Sequence, residues 1–171
     1  FLDPTVVKKV AVAFLPTGIL GLILYPFVKT YLIGNVTVVL WSLAVGGALM
    51  ILFEYVKNDR AQSTGETTSD ISYGKAFLIG LCQSVAMIPG VSRSAATIIG
   101  GMALGINRKT IVEFSFLHAV PTHAAATGLD LIKNYTLFSG DEFSLLAVGF
   151  AASFVTALIA IRFLLRYIER H

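Results

Sequence analysis

The sequence predicts an all-α integral membrane protein built from four transmembrane helices and one re-entrant helical hairpin. Three observations predict it. Of 171 residues, 56% are hydrophobic and 13% are charged, about half the ~25% charged of an ordinary soluble domain. The mean hydropathy is +0.78, and a soluble fold of this length cannot bury that much apolar surface in one core. The apolar residues fall in long uncharged stretches, and one stretch is broken in its middle by Pro89 and Gly90. This composition excludes a soluble enzyme, a disordered tail and a nucleic-acid binder. The length fits one membrane domain over 1–171.

The elements follow from the charges that bound them. Val10 to Val28 lies between Lys9 and Lys29, predicting a span over 8–29. Thr30 to Phe53 ends at Glu54 and predicts a span over 34–56. Residues 57–73 are polar and rich in Ser and Thr, which reads as a cytoplasmic loop. Residues 74–107 follow as the hairpin. Phe114 to Leu129 predicts a span over 109–133, and Phe143 to Ile161 one over 142–168, joined by a short outer loop, Asn134 to Glu142. Each span is long enough, with its flanks, to cross ~30 Å of hydrocarbon. Trp41 is read as mid-span packing, Gly101 and Gly105 as a helix-packing pair, and Cys82 as a small hydrophobe. One cysteine permits no internal disulfide. No signal peptide is visible, and the start at Phe1 without Met predicts a piece cut from something longer.

Charge placement chooses the hairpin over a crossing. As one straight helix, Ala76 to Asn107 would run ~48 Å, longer than an ordinary span. If it returns to the side it entered, Lys8, Lys9, Lys57, Arg60, Lys75, Arg108, Lys109, Arg162, Arg166 and Arg170 share one side. Lys29 and Lys133 occupy the other, and Arg93 lies within the membrane. A crossing would leave the two sides equal. Lys and Arg concentrate on the cytoplasmic side, so the hairpin enters from the cytoplasm and its tip points outward. The same bias accounts for the net charge of +3.

The chemistry is expected at that tip, Pro89-Gly90-Val91-Ser92-Arg93-Ser94-Ala95-Ala96-Thr97. An arginine at bilayer depth persists only with a partner or a wet cavity. Arg93 is read as ~20 Å of helix from either end of its hairpin, too far to snorkel. Ser92 or Ser94 can cap the following helix, whose free first amides and positive dipole end favour an anion. The Arg93 guanidinium matches phosphate oxygens, and Ser92, Ser94 and Thr97 add hydroxyls. The constellation reads as a phosphate cradle in a membrane, without the glycine spacing or lysine of a P-loop.

The run from Ile79 to Thr97, with its Pro-Gly-x-Ser-Arg-Ser-x-x-Thr core, resembles the second signature of the bacterial undecaprenyl-diphosphate phosphatases, the bacitracin-resistance family. Glu113-Phe114-Ser115-Phe116-Leu117 is similar to the family's next helix, and the resemblance extends over essentially the whole chain. It implies half of an inverted-repeat architecture with two re-entrant hairpins. It implies hydrolysis of a long-chain polyprenyl diphosphate to the monophosphate, recycling the cell-wall lipid carrier in the bacterial inner membrane. By resemblance, Arg93, Ser92, Ser94 and Thr97 are the catalytic set, and Gly90 and Gln83 bind substrate, Gln83 facing the same cavity. A divalent metal, Mg or Ca, is implied as cofactor, its ligands outside this chain. The implied partners are the lipid and the membrane, with no nucleic acid; a homo-oligomer stays open.

Departures accompany the match. The family's first signature, a Glu-rich stretch followed by Ser-Ser and a His, is missing, which predicts that this chain is the C-terminal two-thirds of the enzyme. Glu54, Glu113 and Asp130 read as solvated anchors at span ends. His118 and His123 stand where the family has aliphatic residues. Five residues on a helix turn through ~140°, so they are read as core histidines rather than a metal pair. Two other classes keep the same tip: a transporter or flippase for a phosphorylated polyprenyl lipid, and a structural subunit whose Arg93 pairs with a partner's carboxylate.

Overall fold

The computed structural model describes residues 3–56, 67–134 and 140–170, and all six longer elements among them are α-helices. They are α1 (Pro4–Phe27), α2 (Val36–Val56), α3 (Tyr73–Ser84), α4 (Arg93–Ala103), α5 (Arg108–Asn134) and α6 (Gly140–Arg170). A π-helical turn, Val28–Leu32, follows α1, and short 3-10 turns, Thr68–Asp70 and Val85–Met87, flank α3. Most of the expected cytoplasmic loop (57–66) and of the expected outer loop (135–139) lies outside the described residues. The chain divides into two compact units, Phe1–Ala126 and Thr127–His171.

Local sequence explains where the helices start and stop. Asp3 caps α1, accepting from the Thr5 amide at 2.9 Å, with Pro4 in the first turn, where its missing N–H costs nothing. Asn35 caps α2 through the Thr37 and Val38 amides. Ser72 caps α3 through Lys75, and Asn107 caps α5 through Thr110. Helix α4 closes in a Schellman motif, with Ile106 N donating to Gly101 O and Gly105 N to Met102 O. Gly105 has φ +79°, the left-handed turn that glycine supplies. Its role is therefore to end the helix. The packing glycines are Gly100, against Cys82, and Gly101, against Ile111. Cys82 is half-buried there.

In the first unit, α3 runs beside α1 in the same direction. The Lys9 ammonium reaches the Ser69 carbonyl and lies over the Tyr73 ring. Thr17 Oγ1 donates to Gly80 O at 2.9 Å, and Met87 approaches Gly21. The seam is tight because Gly80 has no side chain. A Cβ there would lie 1.9 Å from the Ala13 carbonyl oxygen. Helix α4 turns back antiparallel to α3, so that Thr97 meets Gln83 and Gly100 meets Cys82. Both ends of the hairpin therefore finish together. Val6, Val10, Ile71, Ala76, Ile106 and Ile111 share one core there, and Arg108 pairs with Glu54 at 2.9 Å.

Among the described residues, three helical segments are long and apolar enough to cross a membrane: Pro4–Leu32, Val36–Val56 and Phe143–Phe163. Helix α2 buries none of its residues within the chain, and Trp41, expected in packing, is 69% exposed. So much exposed apolar surface is what a lipid-facing protein presents. Helix α5 has 27 residues but is not among the three; it carries Glu113, His118 and His123 within it and charges at both ends. In the second unit, the described side chains of α6 are exposed. Phe150 and Phe154 stack along it, and Thr156 bonds back to the Ala152 carbonyl.

Candidate functional site

The hairpin reverses in a turn dictated by two residues. Val91 N donates to Ile88 O at 3.1 Å across Pro89-Gly90, and Gly90 has φ +96°. That is the pattern of a type II turn, with proline second and glycine third. Gly90 also admits α2: a Cβ there would meet Val39 O at 2.6 Å and Ser42 Cβ at 3.0 Å. Val39 and Ser42 lie within two turns of the start of α2. The sequence reading sets Arg93 far from either end of its hairpin. Against α2, the tip instead lies near that helix's N-terminal end. The incoming arm continues past Ser84 through the 3-10 turn and so reaches further than a centred break would.

Ser92 and Arg93 follow the turn directly. Ser92 Oγ accepts from the Ala95 amide at 3.3 Å and lies 3.2 Å from Ser94 Oγ. Both hydroxyls are exposed. The amides of Arg93 and Ser94, first in α4, have no intrahelical partner. Arg93 is half-buried, yet its Nη1 is fully buried and without a hydrogen-bond partner. A buried donor left unpaired in this way is costly.

Thr97 and Gln83 lie behind the tip, 0% and 2% exposed. The Thr97 hydroxyl is 2.9 Å from the Arg93 carbonyl and 3.2 Å from Gln83 Oε1. Gln83 Nε2 donates to Thr122 Oγ1 at 3.2 Å, and Thr122 donates to the His118 carbonyl at 2.8 Å. A buried polar ladder thus joins α3, α4 and α5 behind Ser92, Arg93 and Ser94. Gln83 is committed to that ladder. Thr122 and His118 complete it. They lie one turn apart on one face of α5, a spacing visible in the sequence. His118 is 0% exposed, whereas His123 is exposed, so the two do not converge.

An apolar groove of about 620 Å³ runs between α2 and the hairpin. Its tip end carries Gly90, Ser42 and Ser92, and its far end Phe53, Val56 and Ala103. Along α2, from Ser42 to Val56, it extends ~21 Å.

Residues 3–171 match the family model described as "Bacitracin resistance protein BacA". The chain belongs to that family. It is 45% identical over 171 residues to a protein named undecaprenyl-diphosphatase from Sulfurihydrogenibium sp. (strain YO3AOP1), covering 100% of this chain and 67% of the relative. The same name is carried by a relative from Aquifex aeolicus (strain VF5), 46% identical over 169 residues, covering 99% and 65%. A third, from Bdellovibrio bacteriovorus, is 46% identical over 166 residues, covering 96% and 62%. The chain therefore spans about two-thirds of the length of the relatives it matches.

A divalent metal does not fit the tip of this BacA-family chain. Mg²⁺ and Ca²⁺ take carboxylate and carbonyl oxygens. The tip offers two hydroxyls beside a guanidinium and the positive end of α4. Among the described residues no three His, Cys, Asp or Glu side chains group to hold a metal ion.

Proposed function

We propose that the protein releases the terminal phosphate of a long-chain polyprenyl diphosphate, leaving the monophosphate lipid carrier of cell-wall synthesis. The observation that carries this reading is the buried, unpartnered Nη1 of Arg93, in the first residue of α4 between Ser92 and Ser94, whose hydroxyls lie 3.2 Å apart. Such a tip attracts a phosphate through helix amides and a guanidinium. The apolar groove that opens at Ser92 takes the first isoprene units. Phosphoryl transfer depends mainly on positioning and on neutralising charge, and Arg93 with the α4 amides supplies that on the phosphate oxygens. Thr97 holds the Arg93 carbonyl and so fixes the guanidinium's root. Gln83 and Gly90 act by position: one locks α3 to α4, the other lets α2 approach. A Mg²⁺ or Ca²⁺ ion, where the reaction uses one, is held by residues other than these.

In the proposed topology, four spans and the hairpin sit in a bacterial inner membrane, with the tip toward the outer side. The shared core of the hairpin's two ends and the Glu54–Arg108 pair support the hairpin's return, and the charge asymmetry supports its orientation. The whole arrangement would be half of an inverted repeat. The test is metal-dependent phosphate release from polyprenyl diphosphate by the intact protein in detergent, beside Arg93→Ala. Loss of at least ~100-fold in turnover is expected, as for removal of one charge-stabilising donor. A folded Arg93→Ala protein with wild-type turnover would refute the role. A transporter would move the lipid and release no phosphate.

A further inference from the structure

The groove beside the tip has a direction and a length. Its lining carries two hydroxyls, Ser42 and Ser92, and both stand at the end where Gly90 meets α2. Beyond them the walls are apolar, through Leu49 and Phe53 on one side and Ala96 and Ile99 on the other. The polar end is thus the end next to Arg93 in the chain. From there the groove leads away along a segment long and apolar enough to cross a membrane. An amphiphile with an anionic head and an apolar tail matches that polarity end for end. The volume of about 620 Å³ lies within the ~300–1,000 Å³ of small-molecule sites.

Two glycines keep the groove wide. Gly46 and Gly47 lie mid-way along α2 and line it, yet nothing lies within 4 Å of a Cβ at either. Glycine is a poor helix residue, and no described neighbour requires it here. From Ser42 to Val56 the groove extends ~21 Å. An isoprene unit, four carbon–carbon bonds of about 1.5 Å in zigzag, advances about 5 Å. The groove therefore has the length of about four units. Cys82 marks a depth within it. Its side chain lines the groove against Gly100, ~12 Å along α4 from Ser92. That is past the reach of two units and within the reach of three.

We propose that the groove selects substrates by tail length: it holds about the first four isoprene units of a polyprenyl phosphate or diphosphate, Gly46 and Gly47 set its width, and the rest of the tail stays in the lipid. The inference rests on the phosphate-binding reading of the tip. Lipid tails around the groove are as apolar as its walls, so each unit gains by packing rather than by leaving water. The gain per unit is therefore only a few-fold in KM, and it stops where the groove stops.

The experiment uses the intact protein in detergent, with each lipid expressed as its mole fraction in the micelles. The first arm reads occupancy without turnover, from alkylation of Cys82 by a small permeant maleimide, followed on the Cys82 peptide. Four-unit prenyl monophosphate at about ten times its Kd should slow alkylation about tenfold, in proportion to the free fraction. Two-unit prenyl monophosphate and inorganic pyrophosphate should leave the rate unchanged. The second arm measures KM for prenyl diphosphates of two to eight units. KM should fall a few-fold per unit up to about four units and then level. In Gly46→Leu the levelling should come after about one unit, since that position is ~6 Å beyond Ser42. Ala44→Leu, exposed on the same helix and outside the groove, should keep the wild-type profile. Alkylation that four-unit monophosphate does not slow would overturn the proposal. So would a Cys82 the reagent never reaches, since another part of the protein then fills the groove. Equal protection by a diacyl phosphatidic acid would refute selection of prenyl tails, and a flat KM profile would refute selection by length. If Arg93→Ala keeps full turnover, the reading of the tip fails. If turnover is lost there but neither Cys82 nor the profile responds to tail length, that reading stands and this one falls.

Discussion

Gly80→Ala tests whether the seam between α1 and α3 is as close as described. The added Cβ would lie 1.9 Å from the Ala13 carbonyl oxygen, 2.8 Å from its carbon and 2.8 Å from Pro16 Cγ. The first two are backbone atoms of a helix and cannot rotate away. Reaching a contact of 3.4 Å requires the helices to part by about 1.5 Å at that point. Overpacking of a tight interior costs ~1–3 kcal/mol, and more where nothing yields. Separation also strains the buried bond from Thr17 to Gly80 O, whose loss adds ~1–3 kcal/mol. Together the expectation is about 2–6 kcal/mol. Gly74→Ala on the same helix is the control, because nothing lies within 4 Å of it. There alanine should be neutral or improve the helix by up to ~1 kcal/mol. The assay is unfolding in mixed micelles with rising denaturing detergent. If the two variants unfold at the same point, the close approach of α1 and α3 is wrong.

Two other outcomes follow. Gly100→Ala should destabilise by about 1–3 kcal/mol, since its Cβ would lie 2.6 Å from Cys82 Cβ and 2.7 Å from Sγ. Cys82→Ala should not rescue it, because the Cβ remains, but Cys82→Gly should, so that the double variant in the same micelle assay is more stable than the two single effects summed. Asp70 is held below the ordinary carboxylate range by the Thr67 backbone N–H and then by the Thr67 hydroxyl. Its charged form therefore stabilises the folded state above pH 3.8, and that contribution fades as pH falls through the lowered value. Stability measured against pH should lose this acid-side slope in Asp70→Asn. An unchanged slope would mean that another group carries it.

Much of this was legible because it is local. Pro89-Gly90 forces a break wherever it falls, and Asn35, Ser72, Ser92 and Asn107 are all capping types at the starts of helices. Tertiary placement was not legible. Gln83 and Thr97 lie 14 positions apart and form a pair only because α4 folds back in one register. Gly105 fits a packing pattern by spacing, yet the chain uses its positive φ. The depth of Arg93 depends on how far α3 is prolonged by Val85–Met87, which hydropathy does not encode. His118 was read as a core histidine. It is buried, fully enclosed beside Phe114, as that reading expects.

The polar ladder explains why the hairpin has one register. A buried hydroxyl or amide is costly unless paired, and a fully paired network specifies its neighbours' positions. Sliding α4 along α3 by one residue would separate Thr97 from Gln83 and carry Gly100 away from Cys82, replacing a fit with a clash. Rotating α5 would break Thr122 from Gln83. The glycines set how near the helices come, and the ladder sets how they are aligned. Each side chain of the ladder has a partner, and the ladder fixes the backbone of Arg93, whose Nη1 is left without a hydrogen-bond partner.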